Sequence, residues 1–171
     1  GKKLFIHIEA NMGKIKIYLN GKLFAENCGG YLPETVDVTD ALKWGEDNVI
    51  AVWADNSDDP TYAPGKPQDV LDYAYLGGIY RDCWLIAHNY VFITDPNYEN
   101  EIAGGGLFIA TDRVSEQSAD ILLKAHIRNE DKQGFAGKIS YSLVDREGKE
   151  VASSDVKLNI RKGTATSHNG K

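Results

Sequence analysis

"KIKIYLNGKLF", residues 14–24, decides the fold class. Ile15, Ile17 and Leu19 alternate with Lys14, Lys16 and Tyr18, the period of two that gathers apolar side chains on one face of a strand. Asn20-Gly21 follows, and both residues tolerate the positive φ that a type I′ turn demands. The stretch reads as a β-hairpin. The same signal recurs upstream in Leu4, Ile6 and Ile8. "NVIAVWADN", residues 48–56, is apolar on both faces, as in a strand covered on two sides. Between them, "DVTDALKWGEDN" reads as one short helical turn with Thr39 or Asp40 as its N-cap.

From Asn56 to Leu71 periodicity stops, and Pro60, Pro64, Gly65 and Pro67 mark an irregular loop. Loops of about this length inside a compact unit are usually functional or disordered. This one leads directly into "DYAYLGGIYRDCWL", residues 72–85. Gly77-Gly78 permits a bend or a close backbone approach before the strand expected at 82–87. Asp72 stands ahead of that bend beside Tyr73, Tyr75 and Tyr80. Aromatic faces next to a carboxylate suit a sugar, because rings cover its C–H surface while the carboxylate accepts from its hydroxyls. A turn cap is the competing reading for Asp72, and strand packing the competing one for the tyrosines. Arg81-Asp82 is most simply an ion pair or a strand-end feature.

A second β unit begins near Tyr90. "YVFITDP" and "LFIATD", the latter after the glycine run 104–106, read as strands. "ADILLKAHIRN" turns Ile121, Leu123, Ala125 and Ile127 inward, and "KISYSLVDREGKEVASSDVKLNI" is a hairpin turning at 146–149. The strand spacing matches an immunoglobulin-like sandwich. Only about five strands can be read, however, which is fewer than a complete sandwich of this type. The tail "RKGTATSHNGK" lacks apolar patterning and is expected to be disordered. The chain thus reads as an opening sandwich that begins in mid-sheet and a second one short of its last strands.

Composition narrows the function classes. The 171 residues are 42% hydrophobic and 26% charged, with a formal net charge of −6. Scattered basic residues on an acidic chain disfavour nucleic acid, which requires a phosphate-neutralising patch. No stretch approaches the ~20 apolar residues of a membrane span. Cys28 and Cys83 form no C-x-x-C pair and are expected to be buried free thiols, a disulfide being the other reading.

No catalytic constellation is evident. His7, His88, His126 and His168 lie in separate elements without metal-ligand spacing, and His7 and His126 read as structural. The glycine run is not a phosphate cradle, since neither a helix nor a Lys-Ser/Thr pair follows it. The glutamates, among them Glu26, Glu34, Glu99, Glu101, Glu130 and Glu150, are dispersed and read as solvated. None stands out as a buried acid facing an exposed base, the pair that glycoside hydrolysis requires.

Four ordered motifs carry a resemblance. Asn20-Gly21, then Gly29-Gly30-Tyr31 with Asp37-Val38-Thr39, then Gly77 to Asp82 resemble the N-terminal sugar-binding domain of glycoside hydrolase family 2, the β-galactosidases, β-glucuronidases and β-mannosidases. The resemblance implies an all-β chain: a jelly-roll β-sandwich over residues 1–89, a partial immunoglobulin-like β-sandwich over 90–162 and a disordered tail over 163–171. It implies a parent glycosidase whose catalytic (β/α)₈ barrel lies outside this chain, so that no catalytic residue or metal ligand is expected here. Asn100-Glu101 and Asn129-Glu130 echo the family's acid/base motif, but fall in the second unit and read as chance. Asp72 takes the place of the family aspartate that reaches the barrel mouth and binds the terminal sugar. A sodium or magnesium ion in the parent enzyme, a carbohydrate substrate, the barrel as intramolecular partner and a homo-oligomer are further implications. A bacterial cytoplasmic or periplasmic setting fits the resemblance without being fixed by it. The alternative is a stand-alone carbohydrate-binding or cell-surface module, since jelly rolls also serve as lectins.

Overall fold

The computed structural model describes every residue except Pro64, Ala74, Tyr75, Ala103 and Lys171, and only the backbone of Gln68. Tyr75, one of the tyrosines placed beside Asp72 above, therefore lies outside the described residues. The chain divides into two compact units, residues 2–88 and 89–171, with Gly1 grouped with the second. The fold is all-β, a sandwich of antiparallel sheets.

The first unit contains β1 (Lys3–Ile8), β2 (Asn11–Leu19), β3 (Lys22–Gly29), β4 (Glu34–Asp37), β5 (Ile50–Asp55), β6 (Gly78–Ile79) and β7 (Cys83–His88). One sheet has the order β4-β1-β7 and the other β3-β2-β5, with β6 pairing against the start of β2. The period-two pattern builds the core as expected. Leu4, Ile6 and Ile8 of β1 meet Ile15, Ile17 and Leu19 of β2, closed by Val36 and Val38. Ile17 is fully buried, so its side chain contributes roughly 1.5–3 kcal/mol through water exclusion. The β2–β3 turn has φ of 51° at Asn20 and 82° at Gly21, the left-handed pair that the sequence supplied. Asn20 also fastens the turn to the next crossing, donating to the Ala41 carbonyl at 3.2 Å and accepting from the Val49 amide at 3.0 Å.

Two local expectations are corrected here. The turn at Thr39–Ala41 is a 3₁₀ segment with Val38 at its N-cap position and no side-chain cap. The Thr39 hydroxyl accepts instead from the Leu4 amide at 3.0 Å and donates to Asp37 at 2.5 Å, tying β4 to β1. β5 is not covered on two sides within this chain. Among the described residues it pairs only with β2, and Ile50 and Trp53 remain exposed.

The second unit contains β8 (Val91–Ile93), α1 (Pro96–Glu99), β9 (Leu107–Asp112), β10 (Asp120–Asn129), β11 (Phe135–Val144), β12 (Glu150–Ile160) and β13 (Thr164–Gly170). β10 is the hub, with β13 on one side and β8 and β9 in succession along the other. β11 and β12 form the expected hairpin. Ala125, Ile127, Leu158 and Ile160 make the buried core. The tail expected to be disordered is ordered instead: β13 pairs with β10 from Thr164↔Asn129 to Gly170↔Leu123. Its polar residues carry no apolar alternation because the strand is held chiefly through its backbone ladder, which composition does not record. α1 was also unforeseen. Asp95 caps it by accepting from the Asn97 and Tyr98 amides at 2.9 and 2.8 Å, with Pro96 at its first position.

Candidate functional site

The long loop of the first unit is stapled where it begins. Asp55, the last residue of β5, accepts from the amide and hydroxyl of Ser57. Asp59 accepts from the amide of Thr61 at 2.9 Å and its hydroxyl at 2.6 Å. Lys14 reaches across from β2, its Nζ lying 2.9 Å from Asp59 Oδ2 and 6.0 Å from the centre of the Tyr62 ring. The Asp59 hydrogen bond raises the Lys14 amine above its ordinary value. In return Lys14, with help from Thr61, holds the Asp59 carboxyl well below the usual range. This clamp places the loop on the pleat of β2 and was not legible in advance, since its partners are 45 positions apart in the sequence.

The loop is closed at its far end by the glycine pair. Gly77 presses against Asn56: a Cβ there would lie 2.1 Å from Asn56 Cγ, so no larger residue fits without turning Asn56 away. Gly78 adopts φ +79°, a region that L side chains rarely enter. It opens β6, where Gly78 and Ile79 pair with Met12 and Asn11. The next residue, Tyr80, donates its hydroxyl to the Gly30 carbonyl. Gly77-Gly78 is therefore both a close approach and a turn.

Asp72 sits in a bend between these two anchors and is exposed. Among the described residues it accepts no hydrogen bond and forms no ion pair; residues 74 and 75, whose amides a turn-capping carboxylate would meet, lie outside the described residues. Beside it in sequence, Tyr73 is the chief cause that raises the hydroxyl of Tyr31, the aromatic residue of the Gly-Gly-Tyr motif, above its ordinary value. Tyr31 is 62% and Tyr73 50% exposed.

A shallow cleft of about 230 Å³, counted to its open mouth, lies between Met12, Asn56, Asp59, Tyr62 and Lys66. Asp72, Tyr31 and Tyr73 do not line it, whereas Asp59 and Tyr62 of the loop clamp do. Among the described residues no group of three or more His, Cys, Asp or Glu side chains is gathered to hold a metal.

The remaining candidates fall into place as structure. His7 shares a 2.7 Å hydrogen bond with Thr35, and the buried His126 one of 2.9 Å with Thr94. Asn129, of the Asn-Glu pair, is fully buried. It donates to the carbonyls of Gln133 and Ile160 at 2.9 and 3.0 Å and accepts from the Asp131 amide at 2.9 Å. Glu99 is not solvated as expected: its side chain is only 4% exposed and forks with Arg128. Cys28 and Cys83 are free, but both are exposed rather than buried. Their strands lie at outer positions of the sheets, where a thiol alternating away from the core meets solvent. Partial burial, then Asp82 and Glu9, raise the Cys83 thiol and so suppress its thiolate.

Comparison with known proteins places this geometry in a family. No protein-family model matches the chain. It is 32% identical over 167 residues to a β-glucuronidase of Formosa agariphila, covering 95% of this chain and 17% of that protein. It is likewise 32% identical over 162 residues to a β-galactosidase of Thermoanaerobacter pseudethanolicus, covering 94% of this chain and 20% of that one. In three dimensions it superimposes on a β-glucuronidase from glycoside hydrolase family 2 with a TM-score of 0.85 at 30% identity, over 99% of this chain and 18% of the other. The chain thus spans about a fifth of the length of the relatives it matches. It belongs to glycoside hydrolase family 2 and matches the N-terminal part of that family's β-galactosidases and β-glucuronidases.

Proposed function

We propose that this chain supplies the sugar-facing rim of a family 2 glycosidase. The first unit acts as a sugar-binding jelly roll and the second as an immunoglobulin-like support, both serving a catalytic barrel elsewhere in the parent protein. Asp72 binds and orients the terminal sugar; bond cleavage belongs to residues outside this chain. The observation that carries this reading is an exposed carboxylate on a loop whose two ends are fixed.

A carboxylate in that state is a ready acceptor for paired sugar hydroxyls. A charge-assisted hydrogen bond of this sort contributes about 1.5–3 kcal/mol when water is excluded. Fixing the loop beforehand spares the ordering cost at the moment of binding. The β-glucuronidase and β-galactosidase relatives support β-glycosides as the substrate class.

The test uses the full-length gene product and nitrophenyl β-galactoside and β-glucuronide. Asp72→Asn is expected to lower kcat/KM by about tenfold to a hundredfold, the rate equivalent of that hydrogen bond, with an unchanged melting temperature. Unchanged kinetics would remove Asp72 from the site.

A further inference from the structure

Trp84 is 52% exposed, yet its indole N–H is already spent: it donates to Glu9 Oε1 at 2.9 Å. The register of the β4-β1-β7 sheet explains the meeting. His7 of β1 stands opposite Thr35 of β4 on one side and Trp84 of β7 on the other, and directly opposed residues turn to the same face. Leu4, Ile6 and Ile8 take the core face of β1, so Thr35, His7 and Trp84 form a row on the outer face. The 2.7 Å hydrogen bond between His7 and Thr35 joins one half of that row. Glu9 closes the other half, its own amide donating to the Asp82 carbonyl at 3.0 Å.

The result is an aromatic plate with an acceptor at its edge. The bond to Glu9 holds the indole in place, which cuts the rotamer entropy lost when a ligand settles on it. An ionised carboxylate offers about four acceptor positions, so Glu9 keeps capacity for two adjacent hydroxyls after serving Trp84. Among the described residues no cation pairs with Glu9. Its charge welcomes hydroxyl donors and repels a carboxylated or sulfated ligand. An apolar protein surface pressed on the row would bury that charge unpaired, which is strongly unfavourable.

We propose that Trp84 and Glu9 form a carbohydrate-binding site for one neutral hexose ring of a β-linked glycan. The ring lays its C–H face on the indole and donates two neighbouring hydroxyls to the carboxylate. The proposal rests on the glycan substrate class argued above, but not on Asp72.

Affinity electrophoresis of the full-length gene product tests it, with gels carrying β-1,4-galactan, a neutral polymer, or hyaluronan, which has a β-linked glucuronate in every repeat. Galactan should retard the wild-type protein and hyaluronan should not. Trp84→Ala is expected to weaken galactan retention about tenfold, the worth of one aromatic face. Trp84→Phe keeps a ring without the N–H and should lose less. Glu9→Gln keeps an acceptor for the indole but drops the charge, so galactan should weaken about two- to fivefold while hyaluronan gains entry. Absence of galactan retention in the wild type, equal retention by hyaluronan, or retention untouched by Trp84→Ala overturns the site. So does a halved mass of Trp84→Ala in light scattering, which would make the row a subunit interface. Asp72→Asn should lower turnover and leave galactan retention in place. If its turnover is unchanged while the Trp84 variants still lose galactan, the Asp72 reading falls and this site stands.

Discussion

Asn56 and Gly77, twenty-one positions apart, are in direct contact, with the amide side chain lying where a Cβ on the glycine would have to go. The contact closes the loop that carries Asp72 at the point where the chain re-enters the sheet. Gly77→Ala is therefore expected to push Asn56 aside and lower stability by about 1–3 kcal/mol, the usual cost of overpacking. Asn56→Gly in the same chain should restore most of the loss. A double-mutant cycle in urea reads the coupling directly, and additive effects would show that the two positions act independently.

The Lys14–Asp59 pair fastens the other end of the loop. Both groups keep partial access to solvent, which screens the pair, so their value lies in where they hold the chain rather than in net stability. Lys14→Met should leave the melting temperature nearly unchanged while accelerating amide exchange at 57–63. The Asp59 carboxyl is held low, and a group with a depressed folded value loses its contribution as pH falls through that value. Loop protection should accordingly persist at neutral pH and fade only in strong acid, as hydrogen exchange across pH would show.

Burial alone would raise the Asp37 carboxyl, but hydrogen bonds from Lys3 and Thr39 outweigh it and leave it lowered. Its stabilisation is present above the ordinary carboxylate value of about 4 and is lost as pH falls through the lowered folded value. Asp37→Asn should destabilise the first unit at pH 7 and flatten its acid limb. Thermal melts from pH 2 to 7 would decide, and an unaltered acid limb would count against the assignment.

In the second unit, Asn129 satisfies two carbonyls and one amide from full burial. Asn129→Ala removes all three partners at once and should cost about 2–4 kcal/mol, since unpaired buried polar groups lose their desolvation energy. Glu130→Gln, by contrast, should leave glycosidase turnover of the full-length product intact. A collapse of turnover with Glu130→Gln would show that the motif is catalytic after all.

What could be read in advance followed from local periodicity. Ile15, Ile17 and Leu19 announce a buried strand face, Asn20-Gly21 its turn, and both appear where expected. Non-local pairing left no such trace. β13 is polar and joins the sheet by its backbone alone, and β5 looked doubly covered although this chain covers only part of it. The site divides in the same way. Asp72 was visible as an oddly placed acid in an aromatic run, whereas Lys14 and Asp59 acquire their roles only when distant segments meet.

The double fastening also bears on how such proteins diversify. With Asp55 to Tyr62 fixed at one end and Gly77-Gly78 at the other, the stretch around residues 63–70 can lengthen or shorten cheaply. Each doubling of loop length adds only about 0.6 kcal/mol of closure entropy. Evolution, or an engineer, could thus rebuild that arch to admit bulkier glycans without disturbing the scaffold on either side.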